Sequence, residues 1–371
     1  MKEIILSILR YVSLPLALLY GLVIFLRNKF YDWNIFSSMK FSLPVISVGN
    51  LTVGGTGKSP HIEYLIEFLF SRYQVATLSR GYRRRSRGFR LAHSGTTALE
   101  IGDEPFQFKS KYPTVEVCVA EERMLAIPQL LQQRPYVKVI LLDDAFQHRT
   151  VRPGLSILLT DVHRLYTKDY IMPFGLLRES RSAAQRADVI IVTKCEDHFT
   201  SAEAKKIKEE INPGKHQQVF FTSIQYLSLY PMHLEWMAQD AEEVLLVTGI
   251  ANPKPLQTKL ESQFKKIYSL QFADHHYFTS EDMEEIKQAF DHISNPKKLL
   301  VTTEKDASRF FLQQEYIRTH QLPIYVQRIG VKFLFDGEHD FHQRVNGFVE
   351  QYYPVIEMDP QELPITDPTL D

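Results

Sequence analysis

"SVGNLTVGGTGKSPHIEYL", residues 47–65, runs from a short apolar strand through a glycine turn into an amphipathic helix. The turn closes on Gly57-Lys58-Ser59, the ending of a phosphate-binding loop, and strand before with helix after is the setting that motif requires. The usual spacing, G-x-x-x-x-G-K-[ST], asks for glycine at position 52, where this chain has Thr52. That departure falls at the strand end. Gly54, Gly55 and Gly57 adjoin the lysine, where the backbone has to come close to an anion, and the following helix presents its positive end to it. Thr52, Val53, Gly54, Gly55, Thr56, Gly57, Lys58 and Ser59 are therefore expected to bind a nucleotide, with Lys58 on the β- and γ-phosphates and Ser59 on Mg²⁺. The plainer alternative is an ordinary glycine turn ahead of a helix.

Outward from this loop, short apolar runs alternate with helical segments. "PVISV" (44–48), "QVATLS" (74–79), "VKVILLDD" (137–144), "LSILLTD" (155–161) and "DVIIVTK" (188–194) read as buried strands. Residues 60–71 read as a helix with Ile62, Leu65, Ile66 and Leu69 on one face. Continuous apolar strands between helices indicate a parallel sheet covered on both faces. Near "YLSLYPMHLEW" (226–236) the rhythm breaks, and a second, smaller series follows: "EVLLVTGI" (243–250), "KKIYSLQF" (265–272), "KKLLVTTEKD" (297–306) and "LPIYVQRI" (322–329). The expected class is α/β. A P-loop NTPase-like parallel sheet domain covers 31–225 and a smaller α/β lobe covers 226–355, with an N-terminal apolar membrane-associated helix in 1–30 and a disordered acidic, proline-rich tail over 356–371.

The chain of 371 residues is 44% hydrophobic and 23% charged, the profile of a folded protein with a core. Its net charge of −1 gives no global pull toward nucleic acid, so any basic site is local. Two cysteines, Cys118 and Cys195, lie far apart and match no metal-ligand spacing, which suits a reducing compartment. Residues 11–26, "YVSLPLALLYGLVIFL", carry no charge. Sixteen helical residues reach about 24 Å, short of a hydrocarbon core of roughly 30 Å, and Pro15 is expected to kink the helix. No small-residue cleavage site follows. A short span, an interfacial helix and a buried core helix all stay open. Membrane contact is the expectation, because Arg27, Lys29, Phe30, Tyr31 and Trp33 suit headgroup depth.

"VILLDDAFQHR" (139–149) ends an apolar strand in Asp143-Asp144, a Walker-B-type end. Open α/β sheets bind ligands at the carboxyl ends of their strands, so these aspartates belong beside the loop and one should hold Mg²⁺; a helix-capping surface pair is the alternative. Gln147 and His148 either orient groups near the phosphates or serve the structure. "SRGYRRRSRGFR" (79–90) begins where the second strand ends and carries six arginines: Arg80, Arg83, Arg84, Arg85, Arg87 and Arg90. Guanidinium forks match phosphate oxygens. The run reads as a site for an anionic substrate or anionic lipid heads, as a nucleic-acid patch with Tyr82 and Phe89 stacking, or as a solvated loop. "IGDEPFQF" (101–108) sets Asp103 and Glu104 either to take a proton from an attacking hydroxyl or simply to precede a helix starting at Pro105. "FADHHYF" (272–278) offers Asp274, His275 and His276, a His–Asp pair that tunes a base, with too few ligands for zinc. "TTEKDASRF" (302–310) reads as a helix cap with a charged first turn. Val53 stands where membrane-associated partitioning ATPases carry a signature lysine. "TKCED" (193–197) lacks the asparagine and spacing of the guanine-reading N-K-x-D. Both count against a membrane-recruited ATPase or GTPase switch, which remains the rival reading.

Behind the apolar N-terminus, "SVGNLTVGGTGKSP", "LSRGYRRRSRGF", "GDEP", "LLDDAFQHR", "FGLLRES", "FADHH" and "VTTEKDASRF" follow in this order. Over nearly the whole chain this resembles the tetraacyldisaccharide 4′-kinases, the lipid A 4′-kinase family of Gram-negative bacteria. The resemblance implies two α/β/α lobes and an enzyme dependent on ATP and Mg²⁺. It implies transfer of the γ-phosphoryl group to the 4′-hydroxyl of a tetraacyldisaccharide 1-phosphate, giving lipid IVA, at the cytoplasmic face of the inner membrane. It implies neither a nucleic-acid partner nor an obligate protein partner. Residue by residue, it implies Lys58 and Ser59 as the loop's lysine and metal-side hydroxyl, Asp103 as base with Glu104 beside it, and Asp143 and Asp144 as the Walker-B pair. Asp274 and His275 become the supporting pair from the second lobe, and Arg178 the arginine of the "LRE" block. Arg80, Arg83, Glu104 and Arg178 are then the substrate-side candidates, the arginine run gripping the 1-phosphate or neighbouring anionic heads. Ala145, Leu176 and Pro153-Gly154 depart from the family pattern at loop positions, where they touch geometry more than chemistry.

Overall fold

The computed structural model describes residues 13–196, 198–233 and 240–353. Residues 1–12, 234–236 of the expected break and the tail 356–371 lie outside these. The first helix is α1 (Leu14–Asp32). Pro15 falls in its first turn, where a missing N–H forfeits no helix bond, so the helix runs on unbroken and the expected kink does not occur. Its 19 residues reach about 28 Å, and it is long and apolar enough, by length and composition, to cross a membrane. Of its side chains only Ala17 is buried.

The strands are β1 (Val45–Asn50), β2 (Val75–Ser79), β3 (Arg90–Leu91), β4 (Glu116–Val119), β5 (Val139–Asp143), β6 (Leu155–Asp161), β7 (Val189–Thr193), β8 (Gln218–Pro231), β9 (Glu243–Thr248), β10 (Lys266–Gln271), β11 (Lys298–Thr303) and β12 (Ile324–Phe333). Between and after them lie α2 (Lys58–Leu69), α3 (Ala98–Ile101), α4 (Asp103–Lys111), α5 (Arg123–Gln133), α6 (Ser201–Ile211), α7 (Lys254–Glu261), α8 (Ser280–Asp291), α9 (Glu304–Phe310), α10 (Gln314–Thr319) and α11 (Gly337–Glu350). The strands pair into one sheet in the order β10-β9-β11-β12-β8-β7-β6-β1-β5-β2-β4-β3.

Two parallel arrays make up this sheet. From β4 to β8 every neighbouring pair is parallel, as is every pair among β12, β11, β9 and β10. The antiparallel pair β8–β12 joins them, and β3 adds a short antiparallel edge on β4. β8 changes character along its length. Its early residues, Phe220 to Ser223, are buried, and the residues beyond them are half-buried or exposed. The division expected at 225/226 therefore falls inside a continuous strand. α11 also crosses it: Phe341, Val345, Phe348 and Val349 pack in one cluster with Ile46 and Val48 of β1 and Ile62, Leu65, Ile66 and Leu69 of α2. Burying each of those four α2 side chains contributes roughly 1.5–3 kcal/mol.

The register sets up the site. β1 lies between β5 and β6, with Val48 opposite Asp143. Asp143 and Asp144 thus reach the same sheet edge as the loop that follows β1, which is where open α/β sheets bind ligands.

Candidate active site

After Asn50 the chain turns through 51–57 and enters α2 at Lys58. Gly57, the N-cap, has φ +84°, a left-handed conformation that suits glycine. The loop is braced from outside. Thr193 Oγ1, at the end of β7, donates to the Thr56 carbonyl at 2.9 Å. Lys194 Nζ donates to the Gly55 carbonyl and, at 2.7 Å, to Asp161. His61 Nδ1 lies 2.7 Å from the Gly57 carbonyl. The space beside Gly54 and Gly55 is open, with no atom within 4 Å of a built Cβ. Thr52 bridges Leu177, and the Val53 N–H donates to the Leu176 carbonyl at 2.9 Å, so both are tied to the 171–178 segment.

Lys58 Nζ stands 3.6 Å from Asp144 Oδ1 and 3.4 Å from Asn50 Oδ1. Asp144 accepts Arg178 Nη1 on both oxygens, at 2.9 and 3.1 Å. Burial works to raise the Asp144 pKa, but Lys58 and Arg178 outweigh it and hold the carboxyl below its ordinary value. Asp143 goes the other way, pushed up to about 7 by burial and then by the Asp144 charge. Its Oδ1 is buried without a hydrogen-bond partner among the described residues. Such an orphaned carboxylate oxygen beside a second aspartate suits a divalent cation. Among the described residues no three His, Cys, Asp or Glu side chains cluster to hold a metal by themselves. A cation here would rely on Ser59, the aspartates and phosphate oxygens together. Arg123 was missed in the sequence: it is 3% exposed and donates to the Asp143 carbonyl at 3.0 Å.

The acceptor side is assembled at the start of α4. Gly102 (φ +93°) precedes it, and a Cβ there would lie 2.9 Å from the Tyr82 carbonyl, so glycine is what lets the arginine-rich loop close on this turn. Asp103 is 3% exposed. Its Oδ2 meets Arg309 Nε at 2.9 Å, Arg309 Nη2 at 2.8 Å and His275 Nδ1 at 3.4 Å. Oδ1 is buried with no partner among the described residues. Burial alone would raise the Asp103 pKa; the His275 and Arg309 contacts bring it below the usual value. Glu104 pairs with Lys305 at 2.8 Å, and Lys111 bridges Glu63 and Glu304. Three ion pairs therefore tie α4 to α9 across the two arrays.

Several expectations change in detail. The carboxylate beside His275 is Asp103, from the other array, rather than its neighbour Asp274. His276 instead pairs with Asp282 at 2.8 Å, inside the cap of α8. Arg84 does not point to solvent, since its guanidinium staples the loop to Glu121 and the Gly88 carbonyl. Arg80 and Arg83 are exposed. Arg80 lies on the aspartate side, where its charge, after burial, Arg123 and Arg27, helps push His148 down to about 4. Arg83 covers the Tyr82 ring, whose edge meets His275 at 5.8 Å. Gln147 is a brace, donating to the Asn50 carbonyl at 2.8 Å. α1 leans on the same segments: Tyr20 donates to the Arg178 carbonyl at 3.0 Å, and Arg27 donates to the Gln147 carbonyl at 2.9 Å. Arg309 and Lys305 escaped notice because "TTEKDASRF" reads as a capped helix; the arginine wedged against Phe310 and Phe311 was the available signal.

A parallel sheet carrying a glycine loop, a lysine at the head of the next helix and an acidic strand end beside it defines the P-loop nucleotide-binding class. The family model "LpxK: Tetraacyldisaccharide-1-P 4'-kinase" matches residues 9–350, and the chain belongs to that family. It is 43% identical over 351 residues to the tetraacyldisaccharide 4′-kinase of Bacteroides thetaiotaomicron, covering 91% of this chain and 92% of that protein. It is 44% identical over 321 residues to the protein of the same name from Flavobacterium johnsoniae, covering 86% and 92%. Among solved structures it is similar to the "apo" form of LpxK from Aquifex aeolicus in complex with ATP. That match has a TM-score of 0.71 and 27% identity, over 92% of this chain and 99% of that one.

Proposed function

We propose that this protein is a tetraacyldisaccharide 4′-kinase. It transfers the γ-phosphoryl group of ATP to the 4′-hydroxyl of a tetraacylated glucosamine disaccharide 1-phosphate, yielding lipid IVA on the cytoplasmic face of the inner membrane. Supporting this are the names of relatives that match nine-tenths of the chain and the ATP bound to the Aquifex aeolicus protein. The observation that carries it is a pair of half-sites, close enough that the charge of Glu104, next to Asp103, acts on Asp143. Lys58 and Asp144 stand at the loop, and Asp103 sits on α4 with one oxygen committed and the other without a partner among the described residues.

In this reading Lys58 and the loop N–H groups neutralise the β- and γ-phosphates, and Arg178 keeps Asp144 ionised beside them. Mg²⁺, held by Ser59, Asp143 and Asp144, would add charge neutralisation on the phosphate oxygens. Asp103 Oδ1 accepts the proton of the acceptor hydroxyl as that oxygen bonds to the γ-phosphorus and the bond to ADP breaks. His275 supports Asp103 from the second array. Arg80 and Arg83 receive the acceptor's 1-phosphate, and Glu104 and Arg178 border the same space. The exposed apolar side chains of α1 lie in the membrane surface that holds the acceptor. Nucleic acid and an obligate protein partner have no part in this scheme. Relatives named as kinases leave the switch reading without support.

The test is purified protein with γ-labelled ATP, Mg²⁺ and the tetraacyl disaccharide in detergent. Label should move to the lipid. ATP hydrolysed without labelled lipid would exclude the kinase. Asp103→Ala should lower turnover by about 10²–10⁴-fold while nucleotide binding persists; near-normal turnover would remove Asp103 from the role of base.

A further inference from the structure

The side chain of Arg309 is wholly buried and lies between the two arrays. A guanidinium has five N–H donors in a fixed fork and accepts nothing. Here Nε donates to Asp103 Oδ2 at 2.9 Å, and Nη1 donates to Asp306 Oδ1 at 2.7 Å and to the Gly249 carbonyl at 3.0 Å. Nη2 stands 2.8 Å from Asp103 Oδ2 and 3.1 Å from His275 Nδ1. The fork is itself aimed. Asp306 is wholly buried, and its Oδ2 accepts the Gly249 N–H at 3.1 Å and the Thr303 hydroxyl at 2.8 Å.

Two consequences follow from donor chemistry. Both Arg309 contacts to Asp103 fall on Oδ2, which stops the carboxylate from rotating and leaves Oδ1 as the oxygen without a partner among the described residues. The same fork also reaches the supporting ring: His275 Nδ1 lies 3.1 Å from Arg309 Nη2 and 3.4 Å from Asp103 Oδ2, so one guanidinium sets where ring and carboxylate stand against each other. We infer that Arg309 is a positioning residue for the transfer step. From the second array it fixes which oxygen of Asp103 takes the proton, and it holds the His275 ring against that carboxylate. The inference rests on the kinase reading of Asp103.

Arg309→Lys keeps the charge next to Asp103 and Asp306 but replaces the fork with a single point donor. It should lower kcat about 10–100-fold and leave the KM for ATP within about threefold, because the effect runs through Asp103 and not through the phosphate loop. In an Asp103→Asn background the same substitution should cost less than about twofold. Equal losses in both backgrounds, or wild-type kcat in Arg309→Lys, would overturn the inference. A second variant guards against misfolding: Asp306→Asn keeps the size of the side chain that aims the fork but removes its charge. It should lower kcat about 3–10-fold with the KM for ATP again within about threefold. Wild-type kcat in Asp306→Asn would overturn the inference even if Arg309→Lys failed to fold. A wild-type protein that never labels the lipid would instead remove the kinase reading on which the inference rests.

Discussion

Asp143 and Asp144 are neighbours in sequence with opposite surroundings. Asp143 is buried against the Asp144 charge with one oxygen unpartnered among the described residues, and its pKa rises to about 7. Asp144 has Lys58 and a two-oxygen contact to Arg178, and its pKa falls. Carboxylates driven apart in this way take different roles: one is already paired by the protein, and the other is short of a positive partner. At the same scale, Gly102 decides where Asp103 points. Its φ of +93° and the 2.9 Å approach of the Tyr82 carbonyl leave no room for a methyl group. Gly102→Ala should lose about 1–3 kcal/mol in a urea titration and lower kcat, since relief of the clash moves the adjacent base. A variant with unchanged midpoint and turnover would show that this turn yields without cost.

Among the elements, α2 carries the loop's lysine at one end and a buried histidine one turn on. His61 Nδ1 meets the Gly57 carbonyl, and Nε2 meets Thr222 Oγ1 of β8 at 3.1 Å, so the neutral ring donates to one and accepts from the other. Burial pushes its pKa down to about 4 from 6.5. The folded state thus binds this proton less readily than the unfolded chain. The resulting stability is fully present above pH 6.5 and is lost as pH falls toward 4. A shift of that size is worth about 2–3 kcal/mol by pH 4.5. His61→Asn, whose amide N–H can still reach Gly57, should flatten the fall in unfolding free energy between pH 7 and 4.5 by about that amount. An unchanged pH slope would place the acid sensitivity elsewhere. Elements also mark how far the sequence can be read. The loop, Asp143-Asp144 and the α2 face Ile62, Leu65, Ile66 and Leu69 are local patterns, and each is legible. β8 is not, because its first half is buried beside the parallel β7 and its second half is a partly exposed antiparallel ribbon with β12, so one strand looks like a strand and a break. Arg309 finds Asp103 across 206 positions, and no spacing rule joins residues that meet only after two arrays have packed.

For the whole molecule, the unpaid feature is α1. Its polar contacts, Tyr20 and Arg27, bind the segments that hold Arg178 and Gln147, which sets the helix beside the site. Leu16, Leu18, Leu19, Leu22, Val23 and Phe25 are each more than half exposed, six large apolar side chains within ten residues of one helix, and exposed apolar clusters of this kind mark interaction surfaces. A lipid surface covers such a helix without disturbing its inner contacts. Leu18 and Leu22 are four residues apart and touch outward, so Leu18→Asp/Leu22→Asp should leave the fold and the site intact. Moving each leucine from water into an apolar phase is worth about 1–3 kcal/mol, and two together about 2–6 kcal/mol. Partition onto anionic vesicles should therefore fall at least ~30-fold in a sedimentation assay. Phosphorylation of a short-chain acceptor fully dispersed in detergent should change less than about threefold. If the double variant still pellets with vesicles as wild type does, the membrane contact lies in another part of the chain, and the exposed arginines of the 79–90 loop become the next surface to neutralise.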